Sequence, residues 1–174
     1  VYAQTADTEL QRINTGYALH YLQQASALYT AENYADALAY AEKGMTFDSS
    51  FSDFFHLKAQ CLLHLHESRA RCLEAAEQSI TSGLQRRIFN EDELILLLAR
   101  LYTETKRYKE TLELLEPLAF PSADRDFYRA SALYGLERDE QARAVIEEAL
   151  TRWSFDVRFP QLFFLQERNK PMTQ

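Results

Sequence analysis

Histidine, cysteine and carboxylate side chains are where chemistry would start in this chain. Three of its four histidines, His56, His64 and His66, fall close together, as metal ligands often do. On one helix His56 and His64 stand about 12 Å apart along the axis, too far to share an ion. His64 and His66, two residues apart, point to different sides. His66-Glu67 opens like the helical zinc motif His-Glu-x-x-His, but Ala70 occupies the place of the second histidine. The carboxylates Glu91, Asp92 and Glu93, and Glu147 and Glu148, fall on faces expected to be solvated, and nothing sets apart an acid–base pair. Glycines 16, 44, 83 and 135 are too dispersed to cradle a phosphate, and neither Gly-x-Ser-x-Gly nor Cys-x-x-Cys occurs. The expectation is therefore no catalytic, cofactor-binding or metal-binding residue, and a protein that is not an enzyme. A hydrolase or transferase with an unrecognised site is the rival reading.

The elements that would carry these side chains are helical. Ala and Leu together supply 47 of 174 residues, Val and Ile only eight, with four Gly and four Pro. Strands need β-branched residues and their turns need Gly or Asn, so β-rich folds are excluded. A hydrophobic fraction of 47% suffices for a core. The net charge of −7 argues against nucleic acid as the partner, since that binding rests on Lys and Arg displacing counterions. The basic pairs Arg69/Arg71 and Arg86/Arg87 read as solvated turns. No stretch is apolar for the 18 or more residues of a membrane span. Val1-Tyr2-Ala3 before Gln4 resembles a signal-peptidase site, leaving open an exported, periplasmic protein, a cytoplasmic one, or simply a longer chain cut there.

Four stretches of the chain resemble one another. Ala25, Ala59, Ala99 and Ala130 each precede a large apolar residue by three positions, in Leu28, Leu62, Tyr102 and Leu133. A small residue follows about twelve positions on, in Ala37, Cys72, Thr111 and Ala142. Small residues in two antiparallel helices let the backbones approach, and large neighbours at i±3 and i±4 fill the groove beside them. The turns read as Thr30 to Asn33, Lys106-Arg107 and the stretch after Gly135; the second turn is one residue longer. Asn90-Glu91-Asp92-Glu93 reads as a capping box, residues 117–123 as a proline-marked linker, and Pro160 as the first turn of a last helix.

On these residues the chain resembles the tetratricopeptide repeat (TPR) family, whose 34-residue helix-turn-helix units stack into a right-handed solenoid. Ala25, Tyr34, Ala37, Ala59, Ala99, Tyr102, Tyr108, Ala130, Ala142 and Ala149 match its pattern. The unit-ending Pro, near Ser49 and Ser154, and the helix-start Trp are missing, so the repeats are degenerate. The resemblance implies an all-α, right-handed superhelical α-solenoid of about four repeats, near 17–50, 51–84, 90–119 and 122–154. A capping helix would follow at 159–169, with tails at 1–15, including a signal-peptide remnant at 1–3 on the export reading, and at 170–174. Phe155, Phe159, Leu162, Phe163 and Leu165 would cover the last apolar face, or else form an aromatic patch for a partner or second copy. Cys61 is turned roughly 200° from the packing Ala59, so Cys61 and Cys72 read as two buried thiols rather than a bridge.

In such a solenoid the first helix of each repeat lines the concave side. Projecting the register places Ser26, Tyr29, His56, Gln60, His64, Arg100, Glu104, Phe127, Ser131 and Tyr134 there. Aromatic anchors with amide and imidazole groups suit a peptide or protein segment. Arg100 is the one cation in the set, so an acidic tail would be held poorly. The implied function is a non-enzymatic protein-interaction scaffold, in the bacterial envelope if exported. The alternative is a small TPR chaperone for a secreted or membrane protein.

Overall fold

The structure, a computed structural model, describes residues 2–83 and 91–168, with no side chain described at 2–5, 79–83 or 167. The expected capping box at Asn90, the Arg86/Arg87 pair and the C-terminal tail lie wholly or in part outside the described residues. Among those described, all regular structure is helical: α1 (Tyr2–Thr30), α2 (Tyr34–Met45), α3 (Ser52–His64), α4 (Arg69–Gly83), α5 (Glu91–Glu104), α6 (Tyr108–Leu115), α7 (Ala123–Gly135), α8 (Asp139–Arg152) and α9 (Arg158–Arg168). The chain clusters into two compact units, Val1–Leu94 and Ile95–Gln174, the boundary falling within α5.

Each unit is built from antiparallel hairpins. In the first, α1 pairs with α2, α3 with α4, and α2 also packs on α3. In the second, α6 packs on α7, α7 on α8, and α9 on both α7 and α8, while Ala99 of α5 joins Leu115 of α6 in one core cluster. Packing follows the small residues. Ala25, Ala37, Ala59, Cys72, Ala99, Thr111, Ala130 and Ala142 are all completely buried, as helices whose backbones approach closely require.

All four hairpin turns close in the same way. The second residue past the first helix adopts the left-handed conformation: Glu32 (φ 61°), His66 (57°), Lys106 (61°) and Glu137 (58°). The next amide reaches back to a carbonyl five residues earlier, Asn33 to Leu28 at 2.9 Å, Glu67 to Leu62 at 3.0 Å, Arg107 to Tyr102 at 2.8 Å and Arg138 to Leu133 at 2.9 Å. This is the Schellman closure, which satisfies the helix's last carbonyls and usually employs glycine. Here charged or imidazole side chains fill the position, which explains how so repetitive a fold gets by with four glycines.

The expected tail at 1–15 is corrected: residues 2–15 are helical and continuous with α1, since nothing in Tyr2–Thr15 interrupts a helix. The expected cap is divided. Phe159 is fully buried and Leu162 and Phe163 pack beside it, whereas Phe155 (97% exposed) and Leu165 (58%) face solvent. Leu165 lies off the one buried stripe of α9, and Phe155 precedes that helix.

Candidate functional site

α1 and α3 of the first unit both contribute to an open groove of about 670 Å³. Leu19, Leu22 and Leu57 give it apolar surface, while Gln23, Ser26, Thr30 and Gln60 supply amide and hydroxyl groups. Among these α1 and α3 residues the charged member is Asp53. Four predicted site residues, Ser26, Tyr29, His56 and Gln60, line this groove together. Leu19, Leu22 and Gln23 went unpredicted. They lie one or two turns before Ser26, on the same helix face, so the 3.6-residue period extended toward the N-terminus was the signal that could have found them.

His56 is nearly buried, and its Nε2 has no hydrogen-bond partner. Burial pushes its imidazole down to about 4, so the ring is neutral near pH 7. At the end of the same helix His64 belongs to an aromatic cluster. Its Nε2 lies 3.1 Å from the Tyr29 hydroxyl, and its ring stacks on Tyr34 with centroids 4.1 Å apart. Tyr29 meets Tyr34 edge-on at 5.4 Å. Burial, then Tyr34, raises the Tyr29 phenol above its ordinary value. The cluster joins the first hairpin to the second and fixes Tyr29 at the groove wall.

The predicted residues of the second unit fall differently. Arg100 and Glu104 are exposed and pair with each other at 2.9 Å, one turn apart on α5. Ser131 is half-buried, its hydroxyl donating to the Phe127 carbonyl at 2.8 Å. Phe127 and Tyr134 depart from the expectation of exposed groove anchors. Tyr134 is only 7% exposed and belongs to the core. Phe127 packs edge-on to Phe159 at 6.2 Å, under the Arg158 guanidinium, 5.0 Å from its centroid. The capping helix occupies the face that the repeat register had assigned to a ligand.

Several features lie outside this face. Cys61 and Cys72 are free and buried, and burial pushes the Cys61 thiol up to about 11. Among the described residues no cluster of His, Cys, Asp and Glu could hold a metal ion, and no helix is long and apolar enough to cross a membrane.

Comparison with solved structures bears on the hairpin arrangement. The crystal structure of YrrB, a TPR protein with an unusual peptide-binding site, is similar with a TM-score of 0.68 at 18% identity, over 83% of this chain and 73% of that one. This chain has a TPR-like fold. No family model matches the sequence, in keeping with TPR-like repeats that lack the Pro and Trp landmarks. An uncharacterized protein of Treponema pallidum (strain Nichols) is 36% identical over 162 residues. The alignment takes in 93% of this chain, which spans only 20% of that relative's length.

Proposed function

We propose that the chain is a non-enzymatic interaction scaffold that holds a peptide or protein segment in the groove of its first unit. The observation that carries this reading is the groove itself, with apolar walls from Leu19, Leu22 and Leu57 beside a nearly buried His56 whose Nε2 is unpaired. Gln23 and Gln60 are suited to the main chain of an extended segment, whose apolar side chains would cover the leucines. Asp53 is the charge among the α1 and α3 lining residues, which favours a neutral or basic segment over an acidic one. Tyr29 is the anchor, held by His64 and Tyr34. Exposed Arg100 and Glu104 and half-buried Ser131 remain candidates for further contacts on the second unit.

The test compares wild-type chain with Tyr29→Ala and with Gln60→Ala as baits in affinity capture. A Tyr40→Ala control carries an exposed α2 tyrosine that does not line the groove. A partner retained by the control and lost by both groove variants supports the reading. A partner that survives both groove variants refutes it.

A further inference from the structure

α1 is far longer than the helix it pairs with. Its 29 residues span about 43 Å, against about 18 Å for the 12 residues of α2. Near the overlap, Tyr17 stacks on Phe47 at 5.2 Å and the Thr15 hydroxyl donates to Asp48 at 2.9 Å. Beyond this the helix runs on with Leu10 58% and Ile13 46% exposed, and Tyr17, anchored on one side, is still 53% exposed. These residues are not scattered. Ala6, Leu10, Ile13, Tyr17 and His20 follow the alternating 4-3-4-3 spacing of a coiled-coil seam, and all five are exposed. A short overhanging helix has little stability of its own in water without a packed face.

Two further observations bear on this seam. Ile13, Gly16, Tyr17 and His20 surround a surface hollow of about 460 Å³. Their spacing, i, i+3, i+4 and i+7, is that of the four residues that form a hole for a knob from a facing helix. Gly16 is also unexplained by packing among the described residues. Two glycines stand inside the first hairpin, and they differ sharply. A Cβ on Gly44 would meet the Phe54 ring at 2.5 Å and Tyr21 Cβ at 2.9 Å, whereas one on Gly16 would meet nothing within 4 Å. A mid-helix glycine weakens its helix, and here no neighbour among the described residues requires it. A helix backbone approaching from outside would.

We propose that this face of α1 pairs with α1 of a second copy, antiparallel, about a two-fold axis at residue 15. Ile13 of each copy then lies level with Tyr17 of the other and enters the hollow beside Gly16, while Leu10 lies level with His20. The pairing is reciprocal, as a two-fold interface must be: one copy supplies both the knob and the hole. Charge permits it. The seam carries no Asp, Glu, Lys or Arg at residues 10, 13, 17 or 20, and the adjacent Glu9 and Arg12 are already paired at 2.8 Å.

Sedimentation velocity of the chain from low to several hundred micromolar tests this, with Gly16→Leu and Ile13→Arg as variants and far-ultraviolet circular dichroism as the folding control. A Cβ at position 16 meets nothing within 4 Å in the monomer, so Gly16→Leu fills the hole while keeping or gaining helicity. The wild-type chain is expected to dimerise with rising concentration. Each variant should raise the dimer dissociation constant at least about tenfold, equivalent to about 1.4 kcal/mol. A wild-type chain that stays monomeric at the highest concentration overturns the proposal. So does a dimer that survives Gly16→Leu, including one lost only on Phe164→Glu with Leu165→Glu, which would assign self-association to the exposed side of α9.

Discussion

His56 couples the groove to pH, and the size of the coupling follows from its burial. In the unfolded chain its imidazole takes up a proton near the ordinary value of 6.5, whereas burial in the folded chain holds it at about 4. Between those values the unfolded state carries a proton that the native state refuses, so stability falls as pH falls. The full contribution is present above about pH 6.5 and is lost progressively down to about 4, below which this group changes nothing further. At about 1.4 kcal/mol per pH unit, the gap amounts to about 3 kcal/mol. Replacing His56 with Leu removes this term and also the unpaired Nε2, so the variant should match or exceed wild-type stability at pH 7. Urea unfolding followed by circular dichroism at pH 7, 6, 5 and 4 measures it. Carboxylate titration lowers both curves alike, and the wild type should lose about 3 kcal/mol more than His56→Leu over that range. Parallel curves would mean that His56 accepts its proton in the folded state, and the argument from burial would fail.

The two helix glycines of the first hairpin should respond oppositely to alanine. At low micromolar concentration Gly16→Ala should raise stability by about 0.5–1 kcal/mol, while Gly44→Ala should lower it by about 1–3 kcal/mol through overlap with buried Phe54; urea midpoints distinguish them. At the left-handed turn position Glu137→Gly should stabilise by about 0.5–1 kcal/mol, the backbone strain relieved outweighing the entropy glycine adds to the unfolded chain. Thermal melting checks the sign, and a melting temperature unchanged or lowered counts against a strained turn. In the second unit the nearly buried Asp126 carboxylate accepts the Trp153 indole N–H at 2.9 Å. Asp126→Ala should cost about 1.5–3 kcal/mol and shift the emission of this single tryptophan. Cys61 and Cys72, both fully buried and raised in pKa, should react with a thiol reagent only after denaturant is added; prompt reaction of the native chain would contradict their burial.

The repeat was readable because close helix packing leaves a compositional mark. Only a small side chain fits where two backbones approach, so Ala25, Ala59, Ala99 and Ala130 and their partners Ala37, Cys72, Thr111 and Ala142 mark the hairpins in the sequence itself. Turn conformation left no such mark. Glu32, His66, Lys106 and Glu137 share a backbone geometry but no side-chain type, so the left-handed position was invisible in a chain that spends no glycine on it. The groove was half legible for a related reason. Helix periodicity places Ser26 and Tyr29 on one face of α1 and His56 and Gln60 on one face of α3, and the two faces share one lining. It says nothing about what covers a face. Phe127 obeys the same register, yet α9 lies on it, and Tyr134 turns into the core with it.

The same distinction explains why the expected tail became a helix and then an interface candidate. Periodicity within one helix is a local property, and Leu10, Ile13 and Tyr17 display it as plainly as the core residues do. Whether such a stripe is satisfied depends on elements elsewhere, and α2 is too short to reach it. Gly16 separates an idle stripe from a used one. An apolar residue on a surface is common and means little alone, but a glycine inside a helix lowers stability wherever it sits. At Gly44 the buried Phe54 ring accounts for that loss. At Gly16 no atom of the described residues does, and a knob at the Ile13–His20 hollow is a contact its geometry admits.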